Sequence, residues 1–394
     1  MDAMTASAQR IAARMAHIEP FEVMEIQTLA RQVEAQGHDV IHLEIGEPDF
    51  RTPQPIVEAA KRALDEQKMY YTSALGLPAL REAISGFYRT RYGVEVPASR
   101  IIVTAGSSAA LLLAFGVVLD VDDEVLLADP GYPCNRHFIR TLGGVPKSIA
   151  VGPETRYQLD AALARRHWGP RTRMAMVATP ANPTGTLVAP EETRALASLA
   201  REKGGTLLVD EIYHGLTYGI DAHTAAADGE DVFVVNSFSK YFQMTGWRLG
   251  WLVAPPSLVR TIETLAQNLY ISPSAVAQHA ALACFTPQTL QIVEARRREL
   301  DERRRYLVPA LEAIGFRVPV VPQGAFYVYA DCSALASNSF EFARRVLTEA
   351  HVAITPGKDF GANEPGRHIR IAYTQSVARL EEAVARIRKL VSGA

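Results

Sequence analysis

The chain has 394 residues, 48% apolar and 21% charged, with 41 Lys and Arg against 43 Asp and Glu for a formal charge of −2. At about 150 residues per domain this length predicts two or three domains with a sizeable core, and the near-neutral balance argues against a strongly basic nucleic-acid footprint. Cys134, Cys284 and Cys332 are too few and too scattered for a disulfide framework or a cysteine metal site, which points to a reducing, cytoplasmic compartment.

Residues 1–20 carry Arg10 and Arg14 but no long apolar run, and no stretch of the chain is apolar enough for a membrane span, so neither a leader nor a span is expected. Val40–Ile45 reads as an isolated strand before the turn-rich G-E-P-D-F. From Ile101 onward, short β-branched runs alternate with helical patterns. The strand-like runs are Ile101–Thr104, Val125–Ala128, Met174–Ala178, Thr206–Val209 and Val232–Asn236. Between them, Ala109–Leu119, Pro133–Leu142, Leu159–Arg166 and Pro190–Lys203 read as helices. That alternation predicts crossover units around a mostly parallel sheet, and the scarcity of polar residues in the strands predicts helices on both faces.

The pattern changes near Pro287. Leu290–Ile314 reads as a long Arg- and Glu-rich amphipathic helix, followed by short strands at Ala325–Ala330, Val352–Ile354 and His368–Ala372 and helices at Ser339–Ala350 and Ser376–Val391. The expected architecture is α/β. Residues 48–286 form a large domain, 287–394 a smaller α+β domain, and 1–47 an N-terminal arm and part of the small domain.

Four segments carry chemistry. Asn236–Trp251 (N-S-F-S-K-Y-F-Q-M-T-G-W-R-L-G-W) follows a strand, so it lies where open α/β sheets place ligands. Its Ser237, Ser239 and Arg248 suit an anion such as phosphate. Lys240 reads as a solvated lysine, a further phosphate ligand, or a nucleophile activated by nearby positive charge. Leu207–Tyr213 runs apolar residues into Asp210 and Glu211; a carboxylate there is either a cap or the partner of a cationic ring nitrogen, with Tyr213 in reach of the same ligand. Ala178–Gly185 fixes Asn182 in a proline-rich turn at another strand end. In Ile101–Ala110, Ser107 and Ser108 open a helix, as an ordinary N-cap or as an anion site made of free amides. No G-x-G-x-x-G and no G-x-x-x-x-G-K-[ST] occurs. A phosphate cradle, a strand-end Asp and a lysine together meet the needs of pyridoxal 5'-phosphate.

With these residues in view, the chain resembles the fold-type I pyridoxal-phosphate aminotransferases of class I and II, in the bacterial aspartate, alanine and aromatic aminotransferase branch. The shared motifs run in order along nearly the whole chain: I-G-E-P-D-F at 45–50, Y-T-S-A-L-G at 71–76, T-A-G-S-S at 104–108, D-P-G-Y-P at 129–133, N-P-T-G at 182–185, D-E-I-Y at 210–213, S-F-S-K at 237–240, M-T-G-W-R-L-G at 244–250, G-A-F-Y at 324–327 and R-I-A-Y at 370–373. Two mild departures are T-A-G-S-S, where relatives often have a second glycine, and R-I-A-Y, where they often have a serine.

The resemblance implies a seven-stranded, mostly parallel sheet and a set of roles. Lys240 would be the Schiff-base lysine, Asp210 the partner of the pyridine nitrogen, Tyr213 and Asn182 the donors to the ring's phenolic oxygen, and Tyr132 the stacking aromatic. Ser107, Ser108, Ser237, Ser239 and Arg248 would form the phosphate cup. Tyr71 would reach the phosphate of the neighbouring subunit, which implies a homodimer with shared sites. Arg370 would clamp the substrate carboxylate with help from Asn182 and the Gly46 amide.

The activity implied is ping-pong transfer of an α-amino group from an L-amino acid to a 2-oxo acid, with glutamate and 2-oxoglutarate as one pair. Rivals are a β-lyase on the same site and a non-catalytic ligand-binding relative; a regulator would need an additional DNA-binding domain of about 60 residues. Ile18 and Tyr270–Ser274 are candidates for the side-chain pocket. No metal site is expected: His38 with His42, and Asp210, Glu211 and His214, are the nearest to one. Cys134 reads as packing, and the arginines from Arg296 to Arg305 as a solvated face paired with Glu299, Asp301 and Glu302.

Overall fold

The computed structural model describes residues 10–393, so the first nine residues of the expected N-terminal arm lie outside the described residues. Helix α1 (Glu22–Ala35) leads to a two-residue strand β1 (Ile41–His42), then α2 (Gln54–Asp65) and α3 (Pro78–Tyr92). The central stretch follows as β2 (Ile101–Thr104), α4 (Gly106–Val118), β3 (Glu124–Asp129), α5 (Pro133–Thr141), β4 (Val145–Ala150), α6 (Ala161–His167), β5 (Thr172–Ala178), α7 (Pro190–Glu202), β6 (Thr206–Asp210), β7 (Phe233–Ser237) and β8 (Gly250–Val253). Next come α8 (Val259–Leu269), α9 (Ala275–Ala281), α10 (Pro287–Glu312), β9 (Tyr327–Asp331), α11 (Ser339–Ala350), β10 (Val352–Ala353), β11 (Thr355–Pro356), β12 (His368–Ala372) and α12 (Val377–Ser392).

Seven strands form one sheet in the order β2-β8-β7-β6-β5-β3-β4, with β8 antiparallel to both neighbours and the other pairs parallel. Both faces are covered, as the apolar strands require. Ile102, Val125, Met174, Leu208, Val235 and Leu252 bury against α4 and α8, while Val103, Leu126, Val177, Val209, Val234 and Trp251 bury on the opposite face. Beyond the sheet, β11-β12-β9 form a three-stranded antiparallel sheet, and β1 pairs in parallel with β10. No helix among the described residues is long and apolar enough to cross a membrane.

Local chemistry sets the helix starts. Asp160 caps α6 by accepting the Leu163 N–H at 2.7 Å, Asn338 caps α11, and Pro190 and Pro287 occupy first turns where a missing N–H costs nothing.

Several expectations are corrected. The expected helix at Leu159–Arg166 starts two residues later, because Asp160 is its cap. The expected strand Val352–Ile354 is two strands: Val352–Ala353 pairs with β1, and Thr355–Pro356 turns to pair with β12. Within Val40–Ile45 only Ile41–His42 is strand. Strands β4 and β8 and helices α1, α2, α3, α8 and α9 are not expected from the sequence; β4 is a sheet edge with a mixed burial pattern, and β8 hides inside a motif. The Arg296–Arg305 face is not uniformly solvated. Arg303 is buried, bonding Asp49 at 2.8 and 3.0 Å and Glu299 at 2.6 Å, so it ties α10 to the G-E-P-D-F turn.

Candidate active site

The carboxyl ends of β2, β3, β5, β6 and β7 open on one edge of the sheet, where a cavity of about 280 Å³ lies. The loops after these strands deliver Ser107 and Ser108, Tyr132, Asn182, Asp210 and Tyr213, and Ser239 and Lys240 to it. Its far wall comes from Phe21, Ile45, Gly46, Glu47, Tyr327 and Arg370.

One corner is made for an anion. Helix α4 begins right after β2, and its N-cap residue Ala105 offers no side-chain bond, so the first-turn amides are unclaimed at the positive end of the helix dipole. Neither serine is the cap; both lie inside the first turn, which corrects the N-cap alternative. Gly106 has φ +81°, and a Cβ there would stand 2.7 Å from Arg248 Nη2, so the guanidinium rests directly against the helix start. Gly250 has the same cause from the other side: its Cβ would meet Asn236 O at 2.7 Å and Gly106 C at 2.9 Å. Ser239 lines the cavity, but Ser237 does not. The Ser237 hydroxyl sits one layer behind, 2.9 Å from that of Ser239 and 3.1 Å from Leu249 O.

Across the cavity lie a carboxylate and an amine. Asp210 ends β6, accepts the Ile212 N–H on Oδ1 at 3.0 Å, and is pushed by burial up to about 6. Lys240 Nζ donates to Gly46 O at 2.6 Å. Burial, aided by Arg370 and Arg248 and opposed by Glu47, brings the amine down to about 8. Tyr213 OH and Tyr327 OH are 2.8 Å apart, and burial raises both phenols.

The third corner is Arg370 on β12. It is 2% exposed, donates from Nη1 to Asn182 Oδ1 at 2.9 Å, and donates from Nη2 to the Glu44 carbonyl and to Thr355 Oγ1 at 3.3 Å. Its guanidinium lies 4.4 Å from the centre of the Tyr327 ring and 5.0 Å from that of Phe360. Arg370 Nε is buried with no partner among the described residues, and the side chain lines the cavity.

Of the residues named from sequence, Gly46, Ser107, Ser108, Tyr132, Asn182, Asp210, Tyr213, Ser239, Lys240, Arg248 and Arg370 come together, while Ser237 and Tyr71 do not line the cavity. Tyr71 is 82% exposed. Ile18 and Tyr270–Ser274 lie off the cavity too. The sequence reading missed Phe21, Glu47, Leu111, Thr245 and Tyr327. Glu47, Thr245 and Tyr327 sat inside G-E-P-D, M-T-G-W and G-A-F-Y without a role; Phe21 has no motif.

Glu211 turns away from Asp210. Its carboxylate accepts the Ala225 N–H at 2.7 Å and the Thr224 hydroxyl at 2.9 Å, and lies 3.2 Å from His214 Nδ1. His38 stacks on His351, whereas His42 bonds to glutamates. No group of three or more His, Cys, Asp or Glu side chains suited to a metal occurs among the described residues.

Comparison with known proteins places the chain in a family. The family described as aminotransferase class I and II matches residues 38–387. A protein of Mycobacterium tuberculosis named valine–pyruvate aminotransferase is 39% identical over 380 residues, covering 96% of this chain and 97% of its own. The crystal structure of an aminotransferase from Mycobacterium tuberculosis superposes with a TM-score of 0.95 at 38% identity, covering 98% of this chain and 100% of that one. Aspartate aminotransferase from Thermus thermophilus with maleate gives 0.91 at 34% identity over 97% and 100%.

Proposed function

The chain belongs to the class I and II aminotransferase family, a transaminase family that works with pyridoxal 5'-phosphate, and from that premise we propose how its own residues divide the work. The cavity fits the cofactor: an anion cradle that a Cβ at Gly106 would fill, a buried carboxylate and a half-buried amine line it together. Ser107, Ser108, Ser239 and Arg248 hold the phosphate, with Ser237 orienting Ser239. Asp210 would pair with the ring nitrogen, Tyr213 and Asn182 would donate to the phenolic oxygen, and Tyr132 would cover the ring.

When bound, the cofactor supplies an electrophilic carbon and a cationic ring that accepts electron density. Lys240 Nζ would hold the cofactor and serve as the base that takes the substrate's α-proton. An amine brought down to about 8 has a usable neutral fraction near neutrality. Arg370, which lines the cavity, binds the substrate α-carboxylate, with Asn182 and the Gly46 amide beside it. Phe21 and Leu111 supply apolar wall that excludes water.

The overall reaction moves an amino group from an L-amino acid to a 2-oxo acid. Glutamate with 2-oxoglutarate is one proposed pair. A neutral pair such as valine with pyruvate is favoured by a specific observation: Lys240, Arg248 and Arg370, each given a task above, are the cations lining the cavity among the described residues.

Residues 48–286 are proposed as the cofactor-binding unit, and 287–394 with the N-terminal arm as the smaller one, a division supported by the pairing of β1 with β10. A homodimer is supported by exposed Met69, Tyr70, Tyr71, Leu269 and Ile271, whose two segments are bridged by Gln278 Nε2 donating to Thr72 Oγ1 at 3.0 Å and Pro273 O at 3.1 Å. Tyr71 would then serve the partner's site.

The half-buried Lys240, lining one cavity with Asp210 and Arg370, carries the proposal. Mixing cofactor-loaded enzyme with single amino acids and following the cofactor's visible absorption tests it, and Lys240→Ala should lower turnover by about 10³-fold or more. Wild-type turnover in that variant would sink it, and pyruvate with ammonia released without an amino acceptor would make the protein a β-lyase.

A further inference from the structure

One of the acceptors that orient Arg370 is the carbonyl of Glu44, a residue whose side chain has no part in the reaction described above. The same carbonyl accepts the Thr355 hydroxyl at 3.1 Å, and two residues on, Gly46 O accepts Lys240 Nζ. The backbone from Glu44 to Gly46 therefore touches both cations that would handle substrate. Leu43 is held by backbone bonds to Ala353 O and from the Ala372 N–H, and a second restraint on the segment lies behind it.

The Glu44 side chain is fully buried, and a buried carboxylate is costly unless paired. It is met by His42 Nδ1 at 2.8 Å, and His42 Nε2 reaches Glu34 Oε1 at 3.1 Å in the last turn of α1. Glu44 Oε2 is buried with no partner among the described residues, so His42 is the side chain that bonds this carboxylate. The hydrogen bond that His42 donates to Glu44, helped by Glu34, raises the imidazole to about 9 against the pull of burial. His42 thus stands as a cation between two carboxylates, neither of which reaches the cavity.

We propose that His42 is a positioning residue for the substrate-carboxylate clamp: by pairing the buried Glu44 to α1 it holds the Glu44 carbonyl where Arg370 needs it. Without the imidazolium, Glu44 is left as an unpaired buried charge. The cheapest relief is for segment 44–46 to shift toward water, which removes an acceptor from Arg370 and lets its guanidinium turn. The anion cradle, built on β2, β7 and β8, is not linked to His42 by any of these bonds. The inference rests on the aminotransferase reading for the identity of Arg370's ligand.

The test compares cofactor-loaded wild type, His42→Gln and Glu34→Gln, using the amino acid and 2-oxo acid that wild type turns over fastest. His42→Gln should raise KM for both substrates about 10-fold, with cofactor Kd within about twofold of wild type and kcat changed less than KM. Glu34→Gln, which leaves the His42–Glu44 pair in place, should raise KM about two- to threefold. A folded His42→Gln enzyme with unchanged KM overturns the proposal, as does a lowered melting temperature with unchanged KM, which marks a merely structural role. If His42→Gln does not fold, Glu34→Gln decides alone by the same KM measurement. Absence of turnover in wild type overturns the aminotransferase reading instead, so the two failures are distinguishable.

Discussion

At the anion end of the site, Ser107, Ser108, Ser239 and Arg248 come from the ends of β2 and β7 and the residues before β8, three adjacent strands of one sheet. At the carboxylate end, Arg370 on β12 is held by Asn182 after β5, by the Glu44 carbonyl and by Thr355 on β11, so the large sheet, the small sheet and the N-terminal segment must all be in place. The first end needs one sheet and a helix start. The second exists only once separate layers have docked. Damage to the two should therefore read out differently.

The largest expected effect is at the docked end. Arg370→Lys replaces a planar fork with a point charge and should cost about 2–5 kcal/mol in kcat/KM for amino and oxo acid alike. Cofactor affinity, followed by absorbance titration, should stay near wild type; an equal loss of both would show that the ends are not separable. Arg248→Gln is the mirror case. Losing a charged hydrogen bond to phosphate costs about 1.5–3 kcal/mol, so cofactor Kd should rise while KM measured at saturating cofactor changes little. Smaller again is Gly106→Ala, which meets Arg248 and takes an unfavourable φ; about 1 kcal/mol is expected, again in cofactor Kd alone.

The smallest effect joins the two ends. Lys240 in the enzyme freed of cofactor is neutral above about 8 and protonated below, so its rate of recombination with pyridoxal 5'-phosphate should rise with pH and level off past that value. Arg370 is one cause of the lowering, so Arg370→Gln should move the midpoint upward by a fraction of a unit. A downward shift would contradict the electrostatic account.

Legibility in the sequence follows the same division. Lys240, Asp210, Asn182 and the helix-opening serines could be singled out because each lies at or within a few residues of the end of an apolar strand, and strand ends of a covered parallel sheet face one edge. The two outer residues, Ser237 and Tyr71, show the limit. Adjacency in a motif says nothing of which layer a hydroxyl occupies, and Ser237 turned out to support Ser239 from behind. Phe21 was invisible because nothing local marks it: it lines the cavity only because α1 is anchored at its start, where the Glu22 N–H donates to Asp359 Oδ1 at 3.1 Å. Arg303 read as surface by helical periodicity, yet it is buried because Asp49 arrives from a segment about 250 residues away.

The sequence by itself determined the layered α/β class and the edge of the sheet that carries the cavity, because apolar runs, strand ends and helix starts are local features with fixed periodicities. Tertiary structure alone decided the clamp on Arg370, the Glu34–His42–Glu44 chain behind it and the downward shift of Lys240. Each depends on burial and on charges brought together from distant segments, and neither burial nor proximity is encoded in the spacing of residues along the chain.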